Sequence, residues 1–378
     1  MASSTHRSLY GAAGATSAPP PTPSTQPNNL LSTTEGVGAD ADALSRLLNR
    51  LPPSLALPTR RRVGPQPATC PPVVSFADRS DDSANNIMDD LLSSASQLGF
   101  FQLTNHSIPS ELAKSAESEA LSLLDLPRER KESLFPKDWP LGYEGEEDEE
   151  GDGLGESFCL DESCAAESSE LSLVSVRELT QALEKVGLRI VELLSGSVGF
   201  ENPLEKDGPD RLCTFMWISS EDSPGNEMMT SGGFYPYIVG LQYQIRSSKS
   251  LLLADSGRVL VSTQADSVLV TIGDIAQVWS NGKLKKVRGR AIASLGEGIS
   301  MTVLVTLPLE SRVAPLIPKQ TNLSEEEEDH NNINDEEEEE KETKKMVFNS
   351  FSFEDYAWKV YHERLHLKDP LDRYRVVT

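Results

Sequence analysis

The chain has 378 residues, with 59 acids against 35 bases for a net charge of −24, and 38% apolar residues, enough for one large domain or two modest ones. That sign of charge excludes non-specific nucleic-acid binding, which neutralises phosphates with Lys and Arg, and no apolar run approaches the roughly 18 residues of a bilayer-spanning helix. Four cysteines, Cys70, Cys159, Cys164 and Cys213, are too few for a disulfide framework in a chain this long, and neither a histidine nor a second cysteine pair joins Cys159 and Cys164 to make a zinc site.

Taken from the start, the first 34 residues hold no acid and are rich in Ser, Thr, Ala and Pro. That composition belongs both to plastid transit peptides and to disordered tails. The reading taken is a disordered tail over residues 1–69 and a cytoplasmic location, with a plastid as the alternative. Inside the tail, Leu44, Leu47 and Leu48 have helical spacing before Pro52 and Pro53. Val73–Phe76 is expected to be a strand, Asp82–Leu98 an amphipathic helix carried by Ile87, Leu91 and Ala95, and Phe100–Leu103 a buried strand after Gly99. A second helix is expected from Ser110 to about Leu126, then a charged turn from Pro127 through Phe135.

Leu141–Val174 is acidic, Ser-rich and Gly-rich and is expected to be a long loop. Seven acids fall within Glu144–Asp152, and a later run, Glu325–Glu342, holds twelve. Outside these two runs 40 acids face 35 bases, so the acidity is local and reads as solvated, self-repelling segments. Between Ser175 and Ser195, the residues Val176, Leu179, Leu183, Val186, Ile190, Val191 and Leu194 share one helical face. From Arg211 to Pro308 the texture changes to short β-forming stretches, among them Val259–Val261, Ser267–Ile272, Gln277–Trp279 and Ser300–Leu307, which predicts an antiparallel sandwich or barrel. After the second acidic run, Ser352 caps a helix from Phe353 to about Leu365, with Glu354 and Asp355 in its first turn. The expected organisation is a tail (1–69), a helical region (70–200), a β-rich core (201–312), an acidic linker (313–345) and a docking helix (346–378).

Two stretches resemble a known family. Gly99-Phe100-Phe101-Gln102-Leu103-Thr104-Asn105-His106-Ser107-Ile108-Pro109 is similar to the "GFFQ-x-x-NHGIP" segment of the plant iron(II)/2-oxoglutarate oxygenases, the class of the gibberellin oxidases and aminocyclopropane-carboxylate oxidase. Leu126-Pro127, Glu129 and Lys131 resemble the "LP-x-E-x-K" that follows there. Gly273-Asp274-Ile275-Ala276-Gln277-Val278-Trp279-Ser280-Asn281-Gly282 is similar to "GD-x-x-QV-x-SNG", and Lys286-Val287-Arg288-Gly289-Arg290 falls where that class has "SV-x-HR". The resemblance covers about Pro72 to Pro308, apart from the acidic loop. It implies an α+β protein with a double-stranded β-helix (jelly-roll) core, an N-terminal helical region and a C-terminal helix.

The resemblance also implies a chemistry: two histidines and a carboxylate on iron(II), with an arginine fork for 2-oxoglutarate. Register along the flanks puts Gly233 and Tyr235 at the H-x-D positions, Gly289 at the second histidine and Gly298 at the co-substrate arginine, while Arg290 of the "HR" pair is retained and reads as support for strand backbone, with an anionic ligand as the alternative. The histidines are His6, His106, His330, His362 and His366, so the β-rich core contains no imidazole. Asp255, Asp266, Asp274 and Glu297 are the substitute oxygen ligands in the region, and an all-oxygen set suits magnesium or calcium better than iron. His106 reads as a turn residue, and His362 with His366 as surface residues one helical turn apart. Trp279, Phe234, Tyr235, Tyr237 and Tyr243 read as core or cavity-wall aromatics.

The expectation is therefore a catalytically silent oxygenase-like protein with no cofactor. It would bind a protein partner, through its acidic loops or C-terminal helix, or a small molecule, and would engage neither nucleic acid nor membrane. The alternatives are an active 2-oxoglutarate-dependent oxygenase with an unconventional metal site, and a small-molecule carrier or receptor using the vacated cavity.

Overall fold

The computed structural model describes residues 68–76, 81–145, 156–162, 171–205, 212–220, 234–293, 299–316, 346–363 and 369–376. All of them lie in one compact unit, Pro65–Thr378. The expected tail up to residue 67 with its short leucine helix, the two acidic runs beyond Gly145 and the end of the last helix fall outside these residues, while Thr69, placed in the tail by sequence, bridges to Val261.

The N-terminal half begins with strand β1 (Val73–Ser75), helix α1 (Asp81–Gln97), strand β2 (Phe100–Thr104) and helices α2 (Ser110–Leu124) and α3 (Arg128–Leu134). Two short strands follow, β3 (Gly142–Glu144) and β4 (Ser157–Leu160), inside the stretch expected to be a loop. They were not legible because four wholly buried residues, Ser-Phe-Cys-Leu, show no alternation, and the acids that dominate the composition lie between the strands. Helix α4 (Val174–Val198) buries the predicted stripe from Val176 to Leu194 and stops at Gly199, whose φ of +77° is the left-handed conformation that ends helices. Its residue Gly187 is where the helix lies on the sheet. A Cβ there would come within 2.8 Å of Val305 and 3.0 Å of Leu241.

The start of α4 is set from outside. Leu173 offers no side-chain cap, and the carboxylate of Glu119 on α2 accepts from the amides of Ser175 at 3.1 Å and Val176 at 3.0 Å. These are two of the donors that a helix leaves unsatisfied at its N-terminus, where a negative charge is also favoured.

The β-rich half supplies β5 (Cys213–Ser220), β6 (Val239–Gln244), β7 (Ser248–Ala254), β8 (Gly257–Thr263), β9 (Ser267–Ile272), β10 (Val287–Ala293) and β11 (Ile299–Thr306). Eight strands form a mixed sheet in the order β1-β2-β9-β6-β11-β5-β4-β3, in which β1 and β2 are parallel and the other neighbours antiparallel. A three-stranded sheet, β10-β7-β8, lies against it, with Phe100 and Leu269 of the large sheet packed among Leu252, Ala254, Val261 and Val287 of the small one. The ladders among the described residues do not close into a barrel. The helix-rich front and sheet-rich back are the expected α+β arrangement; the ladders among the strands of Arg211–Pro308 are antiparallel, as expected there, and the parallel ladder, β1 with β2, comes from the N-terminal half.

One element differs in kind. Gln277–Trp279, expected to be a strand, ends a six-residue helix, α5 (Asp274–Trp279), with every residue buried. An apolar stretch that short does not separate helix from strand by period, and the extended Gly273 with Asp274 in the first turn is the start signal that decides it.

The C-terminal residues return to the body. Strand β12 (Arg312–Val313) pairs with β13 (Phe351–Ser352), helix α6 (Phe353–Glu363) follows, and a 3-10 turn, Pro370–Tyr374, ends the described chain. Ser352 Oγ accepts from Asp355 N at 3.3 Å, the expected cap. Phe348, Phe353, Tyr356 and Leu371 are all buried against the body. No described helix is long and apolar enough to cross a membrane.

Candidate functional site

Of the positions singled out by sequence register, Tyr235 and Gly289 are among the described residues. Gly233, Gly298 and Glu297 lie outside the described residues. Arg290 lies in β10, and its side chain is likewise outside them. Gly289 has φ +69°, and a Cβ placed on it would sit 2.1 Å from two ring carbons of Phe234. The space that any side chain at 289 would enter is therefore filled by the phenyl ring of the residue beside Tyr235.

Next to that contact stands Tyr237, fully buried, one of the aromatics expected in the core or a cavity wall. Its hydroxyl donates to the carbonyl of Val287 at 2.7 Å and has the Gly289 carbonyl and the Thr271 hydroxyl each at 3.1 Å. Burial raises its pKa, so the phenol stays protonated and remains a donor. Glycines make room for it. A Cβ on Gly240 would meet the Tyr237 ring at 3.1 Å, and one on Gly273 would meet the Tyr237 carbonyl oxygen at 1.9 Å. Phe234 and Tyr237 thus pin the residues around Gly289 by packing and by hydrogen bonds to backbone.

Tyr235 faces another way. It is 3% exposed, its ring lies 6.0 Å from Trp139, 5.6 Å from Phe215 and 6.0 Å from Phe353, and its hydroxyl has no hydrogen-bond partner. Burial, with smaller contributions from Cys159 and Cys213, raises its pKa, so it is a neutral phenol. Trp139 also buries an unpartnered donor, its indole Nε1. Above Trp139 sit Trp358 at 5.3 Å, Tyr361 at 5.9 Å and His362 at 6.4 Å between ring centres, with Trp358 53% exposed. Tyr361 hydrogen-bonds the Glu144 carboxylate. The cluster is an aromatic stack running inward from the surface, with two buried donors at its base.

The other candidates are engaged elsewhere. Asp255 accepts from Gln277 Nε2 at 2.8 Å, and Asp266 from the Tyr243 hydroxyl at 3.2 Å. Asp274 pairs with the ammonium of Lys286 at 3.0 Å. His106 accepts from Ile108 N through Nδ1 at 3.1 Å, which leaves the proton on Nε2, 3.2 Å from the Asp266 carbonyl; burial lowers its pKa. It holds a turn, as expected. His362 packs on Trp358 at 3.8 Å. Trp279 is buried beside Phe200. Among the described residues no group of three or more His, Cys, Asp or Glu is placed to hold a metal ion.

Lys286 is the residue that sequence reading missed. Its side chain is 1% exposed and contacts both Asp274 and Asp369. It stands where the resembled motif has serine, but only its burial in the structure shows that it demands carboxylates.

Comparison with known proteins gives a consistent picture. Residues 71–171 match the family model described as the non-haem dioxygenase in morphine synthesis N-terminal region. The chain is 25% identical to gibberellin 2-beta-dioxygenase 2 of Arabidopsis thaliana, over 66% of this chain and 79% of that one. It is 25% identical to 1-aminocyclopropane-1-carboxylate oxidase 2 of a Doritaenopsis species, over 72% and 84%. In fold it is similar to JOX2, solved in complex with 2OG, Fe and JA, with a TM-score of 0.64 at 18% identity over 91% of this chain and 99% of that one. These matches overturn the expectation that no cofactor belongs here, because they point to iron(II) and 2-oxoglutarate. The described residues nevertheless fit that iron poorly in the family's usual manner. At the register positions they present a buried neutral phenol and a glycine whose side-chain space is occupied.

Proposed function

We propose that this chain, which is similar to the plant iron(II)/2-oxoglutarate oxygenases, acts by binding rather than by oxidation at a two-histidine iron centre. The observation that supports this reading is the phenyl ring of Phe234 in the space a histidine at 289 would need. We read the two facing sheets as a variant of the family's jelly roll.

The ligand would lie against Trp139, Tyr235 and Trp358, by parting rings that pack on one another. A flat or alicyclic apolar molecule with one hydrogen-bond acceptor would satisfy both the Trp139 Nε1 and Tyr235 hydroxyl donors, which are costly to leave unmade when buried. Gibberellin, named with the Arabidopsis relative, and JA, named with the solved structure, are the first probes. Binding should raise the melting temperature and quench tryptophan fluorescence, and Tyr235→Phe should weaken it by about tenfold, the loss of one hydrogen bond in a buried site.

A second reading is an active 2-oxoglutarate-dependent dioxygenase with unconventional metal ligands. The names of the relatives favour it more directly than they favour the first. One assay separates the two. Protein loaded with iron(II) under anaerobic conditions is given 2-oxoglutarate and oxygen, and carbon dioxide release is followed. Release at the rate of a heat-denatured control supports binding without oxidation; stoichiometric metal with release above that control establishes the second reading.

A further inference from the structure

The C-terminal residues 346–363 and 369–376 form a strap that crosses the body. Its α6 lays Phe353 against Tyr235 and Trp358 against Trp139, so it roofs the aromatic stack. Apolar burial of Phe348, Phe353, Tyr356 and Leu371, the β12–β13 ladder and the bond from Val347 N to Asn281 Oδ1 at 2.8 Å hold it down.

The Lys286 cluster is different in kind. Its ammonium lies 3.0 Å from Asp274 Oδ1, on the body, and 2.5 Å from Asp369 Oδ1, on the strap. Asp369 is the most exposed of the three at 21%, and its carboxylate also accepts from Leu371 N at 3.0 Å, opening the strap's 3-10 turn. Arg375 of the strap reaches the other Asp369 oxygen at 4.0 Å. When a buried charge loses its only partner the cost is severe, but Lys286 has two partners on different elements. If the strap leaves, Asp369 passes into water with Arg375 beside it, and Lys286 keeps Asp274. No lone buried charge is stranded on either side.

We propose that this arrangement is a reversible latch: the strap detaches as a unit at the Lys286–Asp369 contact, uncovering Trp139 and Tyr235 while the sheets stay folded. This goes beyond the binding reading and does not depend on it, because opening is measured without any ligand.

Native-state hydrogen exchange on the full chain tests it. The strap amides of Val347 and Phe353 are held by acceptors on the body, Asn281 Oδ1 and the Ser311 carbonyl, and those of the β6–β9 ladder by each other. In Asp369→Asn the strap amides should exchange about tenfold faster or more while β6–β9 is unchanged, the signature of a local opening. Acceleration of both together, or of neither, overturns the latch. Should that variant fold poorly, the wild-type chain in low urea reads the same thing: strap protection falling before that of β6–β9 supports the proposal, and simultaneous loss refutes it.

Discussion

The two stretches that carry the family resemblance and the ligand positions around them behave in opposite ways. In the first, particular residues do particular backbone work. Gly99 holds φ +80° with the Lys285 carbonyl 2.7 Å from where a Cβ would be, Asn281 accepts from Val347 N, and Gln277 donates to Asp255. Beside the register positions, side chains pack: Phe234 against Gly289, and Tyr237 bonded to the carbonyls of Val287 and Gly289. A family's shell is held by chain geometry that tolerates little change, whereas its lining is held by volume and hydrogen bonding, which other residues can satisfy.

Breaking the shell should cost most. In Gly273→Ala the new methyl would fall 1.9 Å from the Tyr237 carbonyl oxygen, a backbone atom that cannot turn aside. A loss of about 3 kcal/mol or more in urea unfolding is expected. The lining should cost less. Tyr237→Phe leaves the Val287 and Gly289 carbonyls without their buried donor, and about 1–3 kcal/mol should be lost with the fold intact by circular dichroism. If Tyr237→Phe proved neutral, the contrast between shell and lining would weaken, because the phenol would then be filling volume alone.

Acid should act on the strap rather than on either region. Burial pushes the Asp369 carboxyl up, but the charge and hydrogen bond of Lys286, the Leu371 amide and Arg288 outweigh it, so the folded pKa lies below the ordinary carboxylate value. A depressed folded pKa contributes stability that is complete above the unfolded value near 4 and is lost as pH falls through the folded one. Tryptophan fluorescence during acid titration should therefore change below about pH 4, and Asp369→Asn should flatten that part of the curve. The smallest effect is expected at Arg246, whose two contacts of 2.7 Å with Glu117 lie at the surface. Arg246→Ala should cost less than about 1 kcal/mol, and its effect should shrink with added salt.

Much of the scaffold was legible because it repeats. The apolar stripe of α4 and the apolar stretch Ser267–Ile272 announce themselves within a few residues. Gln277–Trp279 was misread because three apolar residues carry no period, and β4 because its four residues are buried on both faces. Of the site, the register put Tyr235 and Gly289 at ligand positions, and the absence of histidine between His106 and His330 is plain in the sequence. The step from there to no cofactor was overturned by the chain's relatives, since a count of ligands in one sequence carries nothing about the chemistry of its kin. The Lys286–Asp369 contact was out of reach because its partners are 83 positions apart, and nothing local marks either as half of a pair.

The carboxylate of Glu119 at the start of α4 has a consequence for how this chain can be cut or assembled. The longest of the described helices has no side-chain cap of its own, so its first turn leans on α2. A peptide spanning α4 alone should fray at that end, and the two helices should gain their order cooperatively, as one event.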